Sequence, residues 1–163
     1  MKKLLFVLLA AGVLTAMGLL PFRAVDASKL LPVKTVIVTK AGEEYVVDIG
    51  SGVRAVGDTL RQALDRLREE VSGQVFLPTA EQVIITEPAE GAVEAVAEET
   101  EFRPAAGIYL TPEPAPDAEA LGAYPDAHPS DVTILDVRAA LALGQRPAIP
   151  VIHAADGGFR VDG

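Results

Sequence analysis

The chain has 163 residues, half of them apolar, with 23 acidic against 14 basic side chains and a formal net charge of -9. It contains no cysteine and no tryptophan, and aromatics make up 5%. These figures exclude disulfides, thiol catalysis and thiolate metal sites. They argue against nucleic acid or anionic lipid as direct partners and leave few rings for stacking sugars or bases.

The first predicted element is an export segment. Met1, Lys2 and Lys3 precede 17 uncharged, mostly apolar residues, Leu4 to Leu20, followed by Pro21 and the step Val25-Asp26-Ala27. A short positive head, an apolar stretch and small residues at the cut form a signal peptide. Signal cores run to about 15 residues, and spanning helices need about 18 or more. Residues 1–27 are therefore either a leader cut after Ala27 or an uncleaved hydrophobic helix that anchors the chain. Both readings make residues 28–163 an extracytoplasmic domain that meets the membrane only through residues 4–20, an orientation the leading lysines favour. A lipid anchor of the bacterial type would need a cysteine after the signal. Losing Lys2, Lys3, Arg23 and Asp26 with the leader moves the charge from -9 to -11 over 136 residues, a length that suits one domain with a real core.

Leu30 to Pro32 reads as a short lead-in. Val33 to Thr39 is rich in β-branched residues and predicts a strand. Ala41-Gly42 is a turn, and Glu44 to Ile49 a second strand of the same hairpin, with Tyr45, Val47 and Ile49 on one face. Gly50-Ser51-Gly52 breaks that strand, which Val53 to Val56 could extend beyond a bulge. Leu60 to Val71 is the clearest helix: Leu60, Ala63, Leu64, Leu67 and Val71 share a face, the charged residues occupy the wet side, and Asp58 or Thr59 caps it, Thr59 and Gln62 having capping-box spacing. Gly73 suits its stop.

Val75-Phe76-Leu77 is a short apolar run. Gln82 to Thr86 is a strand whose unbroken Val83-Ile84-Ile85 implies burial on both faces. Pro88 to Glu99 reads as an Ala- and Glu-rich helix packing lightly at the edge, and Ala105 to Thr111 as a strand. Pro112, Pro114 and Pro116 make an extended segment. Residues 117–129 hold one short helix inside a loop. Ser130 caps a last helix, Val132 to Leu143, with Ile134, Val137 and Leu141 inward, Leu135, Ala139 and Ala142 beside them, and Gly144 at its end. Ala148 to His153 and Gly158 to Val161 are strands around a turn. A strand pair followed by alternating elements predicts a single α+β (or α/β) domain, a mixed sheet with about three packed helices.

No catalytic, cofactor or metal site is expected. His128 and His153 lie apart, and zinc needs three or four ligands. Ser28, Ser51, Ser72 and Ser130 are the serines; Gly50-Ser51-Gly52 lacks the frame of a nucleophile elbow or a phosphate loop. Glu87, Glu90, Glu94, Glu98, Glu99 and Glu101 run without an intervening base and read as a solvated face, although a glycosidase would place two such carboxylates across a cleft. EF-hand spacing is missing. Arg103 is expected to pair with a nearby Glu.

The order of these segments resembles the N-terminal domain of the spore germination C-subunit lipoproteins, components of germinant receptors in endospore-forming bacteria. The likeness rests on Leu60-Arg61-Gln62-Ala63-Leu64-Asp65-Arg66-Leu67 and the run from Val75 to Glu87. It continues through Glu101-Phe102-Arg103, which is similar to the family's Arg-Asp-Pro-Glu-Phe-Arg element before a strand. Thr133 to Leu143, then Pro147 to Val151, then Phe159 to Gly163 complete it. Three departures stand out: the lipobox cysteine is absent, the later domains do not follow, and Pro78-Thr79-Ala80-Glu81 differs from the usual pattern. The resemblance implies a non-enzymatic exported interaction domain acting in germination or sporulation, with a protein partner at the membrane or spore envelope. A general envelope structural or binding protein is the alternative, and a secreted hydrolase using an acidic pair a further one.

Overall fold

A computed structural model of the chain describes residues 30–50, 52–71, 73–86, 91–112, 118–155 and 158–162. The expected N-terminal helix, the cut at Ala27, Ser28, Ser51, Ser72, Glu87 and Glu90 lie outside these residues. Among the described residues no helix is long and apolar enough to cross a membrane.

β2 (Thr35–Ala41) turns at Gly42, whose φ of 64° favours glycine, into antiparallel β3 (Glu44–Asp48), and β4 (Arg54–Gly57) pairs antiparallel with β3. The segment expected to extend β3 is thus a separate strand. Gly50 and Gly52 have φ of 74° and 77°, and Asp48 Oδ1 accepts from Gly50 N–H at 2.7 Å. Together they reverse the chain instead of bulging it. α1 (Leu60–Glu70) follows. Thr59 Oγ1 accepts from Gln62 N–H, and Gln62 Oε1 accepts from Asp58 N–H, so both candidate cap residues take part. The lead-in is itself a strand: β1 (Leu30–Pro32) pairs in parallel with β5 (Gln74–Phe76) in a small two-stranded sheet.

A 3₁₀ turn at Leu77–Thr79 leads to β6 (Gln82–Thr86), every residue of which is buried. α2 (Ala92–Glu98) crosses to β7 (Gly107–Thr111). It does not pack lightly: Ala92, Val96 and Ala97 are buried in the main core, because their small side chains let α2 approach closely. α3 (Ala118–Ala127) and α4 (Ile134–Ala142) precede the antiparallel pair β8 (Val151–Ala155) and β9 (Gly158–Asp162). Four helices are therefore described where about three were expected. The large sheet runs β4-β3-β2-β6-β7-β8-β9, with β2, β6, β7 and β8 parallel, so the domain is α+β with a mixed sheet.

The register lines up Val36, Val83 and Ile108 on one face and Ile37, Ile84 and Tyr109 on the other. The first set, with Val38, Val47 and Ile85, forms the main core under α1, α2 and α4. The second meets Leu121 of α3 and Ile152 of β8 in a smaller one. Burying each such side chain gains about 1.5–3 kcal/mol, against about 1–2 kcal/mol for ordering its backbone. Both faces of the central strands must therefore be covered. Leu135, expected beside the core, is instead 56% exposed, and Ala139 and Ala142 face solvent.

Gly57 is where β4 meets α1: a Cβ there would lie 2.4 Å from the backbone nitrogen of Ala63. Backbone cannot yield as a flexible side chain would, so Gly57→Ala is expected to cost about 1–3 kcal/mol, read as a lower urea midpoint. Gly122→Ala, whose nearest contact would be 3.8 Å away, serves as the mild comparison.

Candidate functional site

The outer edge of β7 is divided between two partners. Ile108 N–H donates to Val132 O at 3.1 Å and Leu110 N–H donates to Pro150 O at 3.0 Å, with a bridge between Gly107 and Thr133. β8 pairs with β7 only at Leu110 and Val151. Pro147 and Pro150 lack amide hydrogens, so the expected strand from Ala148 starts late, at Val151. Segments 128–132 and 148–150 consequently stand apart, and a cavity of about 500 Å³ opens between them, walled also by Tyr109 and Val161.

Its lining is largely apolar, and its hydroxyls are committed to backbone. Tyr109, 1% exposed, donates its phenol hydrogen to the carbonyl of His128. Burial pushes that phenol up to about 12, with Tyr124 and Asp131 adding to the shift. It is therefore a neutral donor at physiological pH and not a base. Ser130, expected to cap the last helix, instead bridges strand and loop. Its Oγ lies 3.1 Å from Ile108 O and 2.9 Å from Val132 O, and accepts from Val132 N–H at 3.1 Å. It is tied in place as a joint, not poised as a nucleophile. The cap of α4 is Thr133, in a reciprocal capping box with Asp136. The Thr133 hydroxyl, 2.6 Å from Asp136 Oδ2, and the Thr133 amide, 2.9 Å from it, both donate to that carboxyl and hold it below its ordinary pKa. The Thr-x-x-Asp spacing was the signal for it.

His128 does reach the cavity. Its ring stacks on Tyr124 at 4.5 Å between centroids, and Tyr124 meets Phe159 edge-on at 5.7 Å. His153 is elsewhere, on β8, with Nε2 3.5 Å from Asp162 Oδ2. Among the described residues no three His, Asp or Glu side chains group as metal ligands. The cavity thus offers an apolar slot with a ring stack at its rim, suited to gripping an apolar side chain.

The acidic run divides. Glu94 and Glu98 are exposed on α2, whereas Glu99 is buried. Arg61 of α1 reaches Glu99 Oε1 at 2.6 Å and Glu101 Oε1 at 3.3 Å, and Arg68 binds the other oxygen of Glu101. Arg138 of α4 donates to the carbonyls of Ala97 and Glu99 at the end of α2. Arg103 is exposed, and among the described residues the arginines that reach Glu99 and Glu101 come from α1. The carboxylates of Glu99 and Glu101 thus tie the end of α2 to α1, backbone carbonyls tie it to α4, and the two carboxylates do not face one another across an open cleft.

No family model matches the chain, and no curated protein or solved structure matches it.

Arg61→Ala leaves the Glu99 carboxylate buried with the Glu101 amide as its remaining donor, 3.1 Å away. A loss of about 1–3 kcal/mol is expected, partly recovered when Glu99→Gln is added, as read by urea unfolding. A phenol whose folded value is raised contributes stability that is full below its unfolded pKa and is lost as pH climbs through the folded one. Stability is therefore expected to fall between pH 10.0 and about 12. Tyr109→Phe removes both that slope and the late-titrating phenol in ultraviolet absorbance.

Proposed function

We propose that this chain is a non-enzymatic, exported interaction domain of the germinant-receptor C-subunit type, acting in spore germination or sporulation by docking to a protein partner at the membrane or spore envelope. One observation carries the reading. The described parts of the six segments on which the resemblance rests fall on α1, on β5 and β6, on the loop into β7, on α4, on the stretch leading into β8, and on β9. They contribute to the large sheet, to the small β1–β5 sheet and to the helical cover. The commitment of Ser130 and Tyr109 to backbone, and of Glu99 and Glu101 to arginines, supports docking over bond-making. The leader at residues 1–27 supplies the route outward, and residues 4–20 the only membrane contact.

In the native host, deletion of the gene is expected to slow or reduce germination, and tagged full-length protein to retain receptor subunits from solubilised spore membranes. A normal germination time course with no spore-stage expression would overturn the germination role. Recovery of the intact protein from cytosol would overturn the export step.

A further inference from the structure

The two ends of the large sheet are not alike. β4 is short, Gly57 is pressed against α1, and Arg66 donates to the edge carbonyl of Val56 at 2.6 Å. Such devices protect an edge from pairing. β9 closes the other end, and among the described residues β8 is its one strand neighbour. Its side chains alternate, with Phe159 and Val161 half-buried on the face of the smaller core and Arg160 and Asp162 exposed on the other.

We propose that β9 is a self-docking edge, which pairs antiparallel with β9 of a second copy about a two-fold axis at Val161. An axis normal to the sheet keeps like faces together. Centred on Val161, it sets Arg160 opposite Asp162 of the second copy, twice by symmetry, and Val161 opposite itself. Centred on Arg160, it would set two guanidinium groups face to face, and directly opposed like charges destabilise a strand pair. Charge therefore selects the first register. Within one copy Arg160 Nε already lies 3.2 Å from Asp162 Oδ1, both well exposed. An exposed pair of this kind holds its partners weakly, so exchanging it across the axis costs little. Val161 also walls the cavity, so the axis lines up the two cavities side by side. Centred on Val161, β9 opposes its copy over Arg160 to Asp162, and a three-residue ladder buries far less than the roughly 1,200–2,000 Å² of a standard interface. Association is accordingly weak, dependent on concentration, and favoured where copies share a surface. This proposal names the partner as a second copy and stands or falls independently of the germination role.

The chain lacks cysteine, so single introduced cysteines report cleanly. Directly opposed residues of an antiparallel pair stand about 4.5–5.5 Å apart, within the span of about 4.4–6.8 Å that a disulfide bridges. In the full chain, Val161→Cys is expected to cross-link under mild oxidation at least about tenfold faster than Leu135→Cys on α4, a difference of about 1.4 kcal/mol in effective proximity. Arg160→Asp alone and Asp162→Arg alone are expected to lose association in sedimentation equilibrium, and their mixture to regain it, because each then faces the opposite charge. Attraction through residues 4–20 is common to all variants and cancels. A Val161→Cys rate equal to the control, or charge variants that associate as the native chain does, overturns the proposal.

Discussion

The structure depends on the double-sided burial of β6. Gln82 to Thr86 has no exposed residue, so Val83 and Ile85 need a cover on one side and Ile84 on the other. A strand in that position can have only strands beside it and apolar layers above and below it. β2 and β7 flank it in parallel, and parallel neighbours require crossovers long enough to carry helices. α1, α2 and α4 supply the thick layer; Arg61 of α1 satisfies the buried Glu99 carboxylate, and Arg138 of α4 satisfies the carbonyls of Ala97 and Glu99 at the end of α2.

The thin layer is where the molecule leaves something open. Among the described residues one helix, α3, covers the second face, and Leu121 is its fully buried contribution to that side. Its reach ends near β8, whose pairing to β7 has already been cut short by Pro147 and Pro150. The cavity beside Tyr109 follows from these two facts together. Gln82, at the start of β6, shows the same tightness from the other direction: its Oε1 is buried without a partner, and a Cβ on Gly107 would sit 2.3 Å from it. A side chain at Gly107 would therefore require Gln82 to shift, and β7 starts at Gly107 and not at Ala105 as its composition implied.

Patterns of period and branching carried most of the fold. The triplet Val83-Ile84-Ile85 announced a strand buried on both faces, and the stripe from Leu60 to Val71 announced α1, with Leu60, Ala63, Leu64 and Leu67 buried and Val71 half-buried as its extended C-cap. Where reading failed, a non-local partner decided. Leu30 to Pro32 is a strand only because β5 lies beside it, and no pattern within three residues can encode that. Ser130 and Thr133 are both plausible caps by type. The box closed by Asp136 selects the second, while an edge opened elsewhere by proline claims the first. For the site, His128 and Ser130 were visible as chemistry-bearing residues, but nothing local says that the carbonyl of one accepts from the Tyr109 hydroxyl and the other ties β7 to a loop. The Glu99 network was hidden for the same reason, since its cations come from 38 and 33 residues earlier in the chain.

That distribution of polar groups bears on what the domain can do. Catalysis needs side chains whose bonds are loose enough to be remade during a reaction, held where water is excluded. In the described part of this chain, the buried hydroxyls and carboxylates near its cavity and helix ends are already occupied in joining elements. Among the described residues the cavity adds apolar walls, a stack of two rings and the exposed carboxylate of Asp131, and β9 has one strand neighbour. Selectivity in such a surface comes from register and from charges placed at alternate positions. β9 carries both, with Val161 as the apolar centre and one residue of each sign beside it. A surface of this kind holds partners loosely one at a time and firmly in number, so its strength would come from crowding copies together and not from the depth of any one contact.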